Sequence, residues 1–135
     1  MPDKPSIWAE NACKCIKNHY GISELAVIVV DSHCIPLRWG VVGISIGFYG
    51  LKPLIDYRKN NDIFGRKLTV TQGNVPDAIA AAAVGIMGES DECTPIVLVR
   101  RWPRVEFIDM PTHDDFIISP EDDIFWPLLQ EFDRC

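Results

Sequence analysis

The sequence predicts an α/β (α+β) fold, with helices flanking a mixed sheet in a single domain. Apolar residues recur at helical spacing near the N-terminus, whereas Leu25–Val30 is a continuous run of mainly β-branched residues. An alanine-rich segment with helical character follows later in the chain. The length of 135 residues and the 47% hydrophobic content are enough for one core. We therefore predict one domain over residues 1–135.

Three helices are predicted from capping residues and apolar spacing. Ser6 is a typical N-cap for a first helix that runs to about Asn18. Asn74 caps the second helix, VPDAIAAAAVGIMG, whose proline lies in the tolerated first turn. Pro120 opens a last helix that continues through Phe132. The apolar face of the first helix comprises Ile7, Trp8, Ala12, Cys15 and Ile16.

Five segments have the composition of strands. Leu25–Val30 is apolar throughout, which is typical of a central strand buried on both faces. Trp39–Tyr49 contains glycines that permit a bulge or a close approach of backbones. Lys67–Gln72 alternates apolar and polar residues and predicts a half-buried strand. Two further short strands are predicted at Ile96–Val99, expected to be buried, and at Val105–Ile108.

Composition excludes some classes of protein. A net charge of -6 and a pI near 4.9 argue against nucleic-acid binding, which requires clustered Lys and Arg. No apolar run is long enough to span a bilayer, and the N-terminal residues lack the apolar core of a signal peptide. We therefore expect a cytoplasmic protein with neither a nucleic-acid nor a membrane partner.

The cysteines favour reduced thiols over a disulfide framework. Five are present, an odd number, and none forms a CxxC pair. Cys13-x-Cys15 with His19 and His33-Cys34 is the alternative, a zinc site, but this spacing matches no common structural zinc motif.

Two acidic segments are candidate ligand sites. Asp31 and Ser32 follow the apolar run directly, and their oxygens suit a hard cation such as magnesium that also contacts phosphate. The alternative is that Asp31 simply caps a turn. The segment MGESDECTP, residues 87–95, is either a second ligand loop or a solvated turn after a helix. No GxxxxGK[ST] loop is present to cradle a phosphate.

Five motifs occur in order between Ala26 and Arg100: VIVVDS, RWGVVGISIGFYGLKPLIDYR, DIFGRKLTVT, NVPDAIAAAAVGIMGE and TPIVLVR. This succession resembles the C-terminal half of the coenzyme F-420 gamma-glutamyl ligase family (coenzyme F-420-0:L-glutamate ligase). The resemblance implies a reaction that uses GTP, magnesium or manganese, and often potassium. In that reaction L-glutamate is added to the deazaflavin coenzyme F-420-0 through an acyl phosphate.

The resemblance also implies roles for individual residues. Asp31 and Ser32 match the family's metal-binding pair, and Glu89 matches a further metal ligand. The implied nucleotide-binding loop comprises Met87, Gly88, Glu89, Ser90, Asp91, Glu92, Cys93 and Thr94. Other recurrent polar positions around the same groove are Arg38, Asp56, Arg58, Asp62 and Arg66.

Some features depart from the family pattern. His33–Leu37 replaces a segment that is usually of the Asn/Phe-Gly-Arg type, and Trp39 stands where a basic residue is common. The family's N-terminal half, which contributes to the nucleotide site, has no counterpart in this sequence. We therefore expect the chain alone to be incomplete or inactive as a ligase. The alternative is a non-catalytic dimeric domain that binds a ligand or supports assembly.

A homodimer is also expected. Family members resemble intertwined dimers, and the apolar strand Val41–Leu51 with several aromatic residues exceeds the needs of one small core. The expected partners are thus a nucleotide, a small-molecule substrate, a second copy of the chain and an N-terminal domain. The alternative is that the aromatic residues fill the core of a monomer. The aromatic residues concerned are Phe48, Tyr49, Trp102, Phe125 and Trp126.

Overall fold

The computed structural model describes residues 2–112 and 114–132 and confirms the predicted fold class. Cys135, one of the five cysteines, lies outside the described residues. Two antiparallel pairs of strands, β1–β2 and β3–β4, combine with helices. The elements are α1 (Pro5–Tyr20), β1 (Val27–Cys34), β2 (Val41–Tyr49), β3 (Leu54–Asp56), β4 (Gln72–Asn74), α2 (Val75–Met87) and α3 (Trp126–Phe132), with 3-10 turns at Asp114–Phe116 and Pro120–Asp122.

Helix α1 begins two residues earlier than predicted. Lys4 occupies the N-cap position, so the prediction that Ser6 caps the helix is wrong. Pro5 starts the helix because its fixed φ and missing N–H suit the first turn. Gly21 ends it as predicted, in the left-handed region at φ 65°, and its N–H donates to the carbonyl of Lys17.

The buried face of α1 also differs from the prediction. Ala9 and Cys13 are fully buried, whereas Ile7 and Trp8 are about half exposed. The small side chains of Ala9 and Cys13 bring the helix close to the sheet, which the larger apolar residues do not allow. The predicted apolar face is therefore wrong: it is rotated about the axis of α1 relative to the face that is buried.

Strands β1 and β2 form a hairpin with a bulge in β2. Val29 pairs with Gly47 and Val30 with Ser45, so Ile46 is an extra residue on β2. In a regular strand, residues four apart face the same side of the sheet. Because Ile46 is an extra residue, Gly47 and the residues after it face the side of the sheet opposite to the one that regular alternation would give them.

The two helices pack on opposite faces of this hairpin, each at a glycine of β2. A Cβ atom on Gly43 would lie 2.4 Å from the carbonyl oxygen of Ala80 in α2. A Cβ atom on Gly47 would lie 2.6 Å from the backbone nitrogen of Ser6 in α1. Both distances are shorter than any real contact, so each glycine is required by the close approach of a helix. The predicted close backbone approach in this strand is confirmed.

The bulge divides the core into two clusters. Phe48 packs with Val75 and Ile79 on the α2 side of the hairpin. Its neighbour Tyr49 packs with Ala9 and Cys13 on the α1 side. The sheet is thus a thin layer between two helices, and each face has its own small cluster of buried residues.

The N-terminus of α2 is fixed by side-chain hydrogen bonds, as predicted. The Asn74 side-chain oxygen accepts from the backbone N–H of Asp77 at 3.1 Å. The Asp77 carboxylate accepts from the Asn74 side-chain amide at 2.6 Å and from the backbone N–H of Ser45 at 2.8 Å. Asn74 therefore caps α2, and Asp77 in its first turn holds the helix against β2.

Several predicted strands are wrong in extent or absent. Leu25–Val30 is no central strand: β1 has one partner, and Val27–Val30 are only half-buried. Lys67–Gln72 makes an isolated bridge through Lys67 and contributes only its last residue, Gln72, to β4. Val105–Ile108 makes only an isolated bridge, through Phe107. Ile96–Val99 is neither buried nor paired. These segments have strand composition, but the described chain supplies no neighbouring strand to complete their ladders.

The predicted last helix is broken. Pro120–Asp122 forms a 3-10 turn, and α3 then runs over Trp126–Phe132. Asp123 separates the two because its backbone is extended, and its carboxylate accepts from the backbone N–H of Phe125 at 2.8 Å. This local bond competes with continuation of the helix.

The chain exposes far more surface than a compact protein of its size. Its accessible area is 10547 Å², whereas the scaling for folded monomers gives about 7,100 Å² for this mass. Many large apolar side chains contribute, including Ile63, Ile96 and Ile124, each more than four-fifths exposed. In the described residues no helix has the length and apolar character needed to cross a bilayer.

The close packing at Gly43 leads to a test with an internal control. Replacing Gly43 with alanine forces α2 away from the sheet, and we expect the free energy of unfolding to fall by about 1–3 kcal/mol. Gly85→Ala is the matched control, since no atom lies within 4 Å of its added Cβ. In a helix interior that change should raise stability by about 0.5–1 kcal/mol. Urea unfolding of the two variants measures both, and equal effects would contradict the packing described.

Candidate functional site

Asp31 and Ser32 lie inside β1 and not at its end. The ladder continues to Cys34 because Val41–Gly43 of β2 supply partners, and Asp31 pairs with Ile44. The prediction that the strand ends at Val30 is therefore wrong. Asp31 does not cap a turn either, although its carboxylate accepts from the backbone N–H of Ser32 at 2.8 Å.

The side chains of Asp31 and Ser32 face opposite sides of the hairpin. Ser32 pairs with Gly43, and directly paired residues share a face. Because Gly43 faces α2, Ser32 lies on the α2 side. Asp31, one residue earlier, lies on the other side with its partner Ile44. The hydroxyl and the carboxylate are adjacent in sequence but do not converge on one point.

Helix α2 brings the acidic loop to the same end of the hairpin as Ser32. Val84 packs against Gly43, the partner of Ser32. The N–H of Gly88 donates to the carbonyl of Val84 at 3.0 Å and closes the helix one turn later. The loop from Gly88 to Thr94 therefore begins about one helical turn, some 5 Å, beyond Ser32 along the axis of α2.

Glu92 organises this loop through its carboxylate. The carboxylate accepts from the backbone N–H of Ser90 at 2.8 Å. This bond, followed by one from the amide of Glu92 itself, lowers the pKa of the Glu92 carboxyl. Gly88, at φ 80°, leaves the space that the carboxylate occupies, since a Cβ there would lie 2.1 Å from Cδ of Glu92. The loop borders a concavity of about 370 Å³ that is open to solvent and is lined by Met87, Gly88, Ser90, Cys93, Thr94 and Pro95.

Glu89 and Asp91 differ from Glu92 because their side chains accept no hydrogen bond from the described residues. Their carboxylates and the hydroxyl of Ser32 are hard oxygen donors at the same end of α2. Within residues 2–112 and 114–132, however, no three His, Cys, Asp or Glu side chains are grouped closely enough to hold a metal ion. The chain thus presents some suitable donors but not a full set.

Arg38 lies in the turn between β1 and β2, at the same end of the hairpin as Ser32. Its backbone N–H donates to the carbonyl of Ile35 at 3.2 Å, and the preceding Leu37 adopts φ 61°. The Arg38 guanidinium has no ion-pair or hydrogen-bond partner in the described part of the chain. Its positive charge is therefore available to an anion outside the chain.

Asp56 and Arg58 form a bidentate ion pair after β3. Nε of Arg58 donates to Oδ1 of Asp56 at 2.9 Å, and Nη2 donates to Oδ2 at 2.8 Å. The Arg58 guanidinium thereby holds the pKa of the Asp56 carboxyl well below its usual range, and its backbone N–H adds to the effect. The charges of the two side chains largely neutralise one another.

Asp62 organises a separate exposed hairpin. Its carboxylate accepts from the backbone N–H groups of Phe64 and Arg66, both at 2.8 Å. The bridge between Asn61 and Lys67 closes the hairpin at its base. Asp62 therefore has a structural role as an acceptor for the turn, whereas the Arg66 side chain has no partner among the described residues.

The polar residues assigned to one groove are divided between the two ends of α2. Asp56 pairs with Gln72 in β4, which leads directly into the N-terminus of the helix. Ser32 and the Gly88–Thr94 loop lie at its C-terminus. The helix has 13 residues and is therefore about 20 Å long. Within this chain, Asp56 and Arg58 do not share a site with the acidic loop.

Sequence reasoning missed a contact between Tyr57 and Arg104. Nη1 of Arg104 donates to the Tyr57 hydroxyl at 2.5 Å, and its guanidinium lies 5.8 Å from the centre of the ring. The two are 47 residues apart, so no local pattern indicates the pairing. They adjoin a second concavity of about 230 Å³, lined by Lys52, Leu54, Ile55, Asp56, Arg104 and Glu106.

Comparison with known proteins identifies the family. The family model for F420-0:Gamma-glutamyl ligase matches residues 1–101. The chain belongs to this family. Members of the family among curated proteins are similar over most of this chain, and the resemblance carried by the five motifs is confirmed.

Three curated relatives show the extent of the similarity, all named coenzyme F420:L-glutamate ligase. The one from Methanothermobacter thermautotrophicus is 39% identical over 103 residues, covering 76% of this chain and 40% of its own length. The one from Methanopyrus kandleri is 36% identical over 127 residues, covering 93% and 50%. The one from Haloarcula marismortui is 35% identical over 132 residues, covering 98% and 50%. The chain thus spans about half the length of the curated relatives it matches.

The anchoring of Glu92 has a measurable consequence for titration. A lowered folded-state pKa means that the bond to Ser90 stabilises the loop above the pKa of an unfolded Glu, near 4.3. This stabilisation is lost as the pH falls through the lower folded value. Carbon-detected NMR titration should therefore give a Glu92 midpoint below that of a free Glu. In Gly88→Ala the added Cβ displaces the carboxylate, and the midpoint should rise; an unchanged midpoint would refute the anchoring.

Proposed function

We propose that this chain is the C-terminal part of a ligase that adds L-glutamate to the deazaflavin coenzyme F-420-0, with GTP as co-substrate and a divalent cation. Membership of the F420-0:Gamma-glutamyl ligase family carries the proposal. The relatives are named for coenzyme F420 and L-glutamate, and two of them align with more than nine-tenths of this chain. We place the reaction in the cytoplasm, where nucleoside triphosphates are available.

The proposed reaction has two steps. A carboxylate oxygen of the acceptor attacks the γ-phosphorus of GTP, so that an acyl phosphate forms and GDP leaves. The amine of glutamate then attacks the acyl carbon. The amide bond forms as inorganic phosphate leaves, and the amine loses a proton to solvent. Both steps depend mainly on positioning and on charge stabilisation. Arg38 offers an unpaired positive charge, and the amides of the Gly88–Thr94 loop offer hydrogen-bond donors.

The donors in the chain suit magnesium or manganese only in part. Ser32, Glu89 and Asp91 supply oxygen at one end of α2, but Asp31 lies on the other face of the hairpin. Among the described residues no three acidic, His or Cys side chains are grouped. We propose that the remaining ligands come from the nucleotide phosphates and from the half of the relatives' length that this chain does not span.

A second candidate is a non-catalytic dimeric domain that binds a ligand or supports assembly. The division of the polar residues between the two ends of α2 favours it, since no single groove among the described residues unites them. The large exposed apolar surface favours a homodimer in both proposals, because 10547 Å² of accessible area leaves ample surface to bury. Phosphate release from GTP separates the two: the domain without catalysis gives none, even when the rest of a ligase is supplied.

The chain alone should not ligate glutamate. Phosphoryl transfer requires the nucleotide, acceptor and amine to be held together, and this chain presents only part of such a site. The measurement is mass spectrometry of the deazaflavin after incubation with GTP and glutamate. Adding the N-terminal half of a curated relative, in the same chain or separately, should restore turnover. Product from the chain alone would overturn this expectation.

A manganese titration tests the proposed metal ligands. We expect paramagnetic broadening of the NMR signals of Ser32 and of the Gly88–Thr94 loop, with a dissociation constant in the millimolar range, about -4 kcal/mol. Glu121 and Asp122, acidic residues in a 3-10 turn, serve as a control for unspecific attraction. Asp91→Asn with Glu89→Gln should remove the broadening of the loop. Equal broadening at Glu121, or broadening centred on His19, would contradict the assignment.

A further inference from the structure

The second concavity, of about 230 Å³, has walls that are fixed by backbone hydrogen bonds. The backbone N–H of Lys52 donates to the carbonyl of Glu106 at 2.9 Å, and the neighbouring residues Leu51 and Phe107 form an isolated bridge. The strand β3 (Leu54–Asp56) supplies three more lining residues and is itself paired with β4. Segments that lie 54 residues apart in the chain are thus tied together around this space. Such a preformed concavity is typical of a site for a small molecule.

Two opposite charges in this concavity are held apart from one another. Arg104 and Glu106 are close in sequence and both line the concavity, yet they form no ion pair with one another. Nη1 of Arg104 donates to the Tyr57 hydroxyl at 2.5 Å, and its guanidinium lies 5.8 Å from the centre of that ring. Oε2 of Glu106 accepts from Nζ of Lys52 at 3.2 Å. The guanidinium and the carboxylate therefore border one space without neutralising each other.

Both of these groups retain hydrogen-bonding capacity. A guanidinium has five N–H donors, and Arg104 uses one of them, toward Tyr57. Oε1 of Glu106 accepts no hydrogen bond from the described residues. Asp56 differs, because both of its carboxylate oxygens already accept from the Arg58 guanidinium. Arg104 can therefore bind a carboxylate, and Glu106 can bind an ammonium group.

We infer that this concavity binds a free α-amino acid, with its carboxylate on the Arg104 guanidinium and its ammonium group on the Glu106 carboxylate. An α-amino acid carries both charges on adjacent atoms of one small molecule, as the two side chains require. The volume of about 230 Å³ is below the 300–1,000 Å³ or so that is typical of sites for drug-sized ligands, so a single amino acid suits it. Leu54 and Ile55 offer apolar surface to the carbon atoms of the ligand.

The charge around the concavity favours an acidic amino acid. Three cationic side chains stand against two acidic ones in and beside it, although the chain as a whole has a net charge of -6. These side chains are Lys52, Arg58 and Arg104 with Asp56 and Glu106. We therefore choose L-glutamate as the ligand, and only this choice rests on the proposed function. The concavity lies near the N-terminus of α2, away from the Gly88–Thr94 loop, so binding here is measured separately from turnover.

Titration of the chain with L-glutamate, followed by NMR of the backbone amides at constant ionic strength, tests the site. We expect saturable shifts at Leu54–Tyr57 and at Arg104–Glu106, with a dissociation constant in the millimolar range. Glutarate has the same two carboxylates but no ammonium group, and it should bind about tenfold more weakly or worse. Shifts confined to the Gly88–Thr94 loop, or no saturable shift, would overturn the inference. Either result leaves the proposed ligase reaction standing, and absence of turnover leaves this binding standing.

Two variants separate the roles of the charges. Arg104→Gln should weaken the binding of both ligands about tenfold or more, because both present a carboxylate. Glu106→Gln should weaken only the binding of L-glutamate and remove its advantage over glutarate, a change that a loss of folding would not produce. Arg100→Gln and Glu24→Gln, which make the same changes at exposed residues elsewhere, should leave both dissociation constants unchanged. Equal weakening of both ligands by Glu106→Gln would refute the assigned ammonium position.

Discussion

The close approach of two helices to a two-stranded hairpin is the constraint on which the rest of the structure depends. So narrow a sheet has little apolar surface to offer, and it is stabilised only if both faces are covered. Gly43 and Gly47 allow this by removing side chains where α2 and α1 cross. The position of α2 then determines which residues lie near one another, because the helix brings the acidic loop to the end of the hairpin where Ser32 lies. Asp77 fixes this position of α2, because its backbone N–H donates to the Asn74 cap and its carboxylate accepts from the backbone N–H of Ser45.

Local signals in the sequence predicted helix ends that depend only on residues close by in the chain. The Asn74 cap and the Gly21 stop are examples, since each acts within a few residues of its own position. The limits of strands were predicted poorly because a strand ends where its partner ends. Asp31 follows a conspicuous apolar run, yet the ladder continues past it because Val41–Gly43 offer partners. Nothing within the run itself carries that information.

The residues of the candidate site could be predicted from the sequence, but their positions relative to one another could not. The resemblance to the ligase family named the Gly88–Thr94 loop and the polar positions near Asp56. Two geometric facts place these residues apart. Adjacent residues of a strand face opposite sides, which separates Asp31 from Ser32. A helix of 13 residues keeps its ends about 20 Å apart, which separates Asp56 from the acidic loop. Likewise Ile96–Val99 has the composition of a buried strand but lies exposed. Its composition suits an assembly larger than the part of the chain described.

The extra residue at Ile46 determines how this protein tolerates changes in its length. Ser45 and Gly47 pair with the neighbouring residues Val30 and Val29 and already face opposite sides of the hairpin. Deletion of Ile46 would therefore leave a regular ladder in which Gly47 and Phe48 keep their present faces. A gap of one residue between Gly47 and Tyr49 would instead turn over the residues beyond it. In evolutionary terms, the bulge gives the hairpin a position at which its residue count can change without moving either glycine away from its helix.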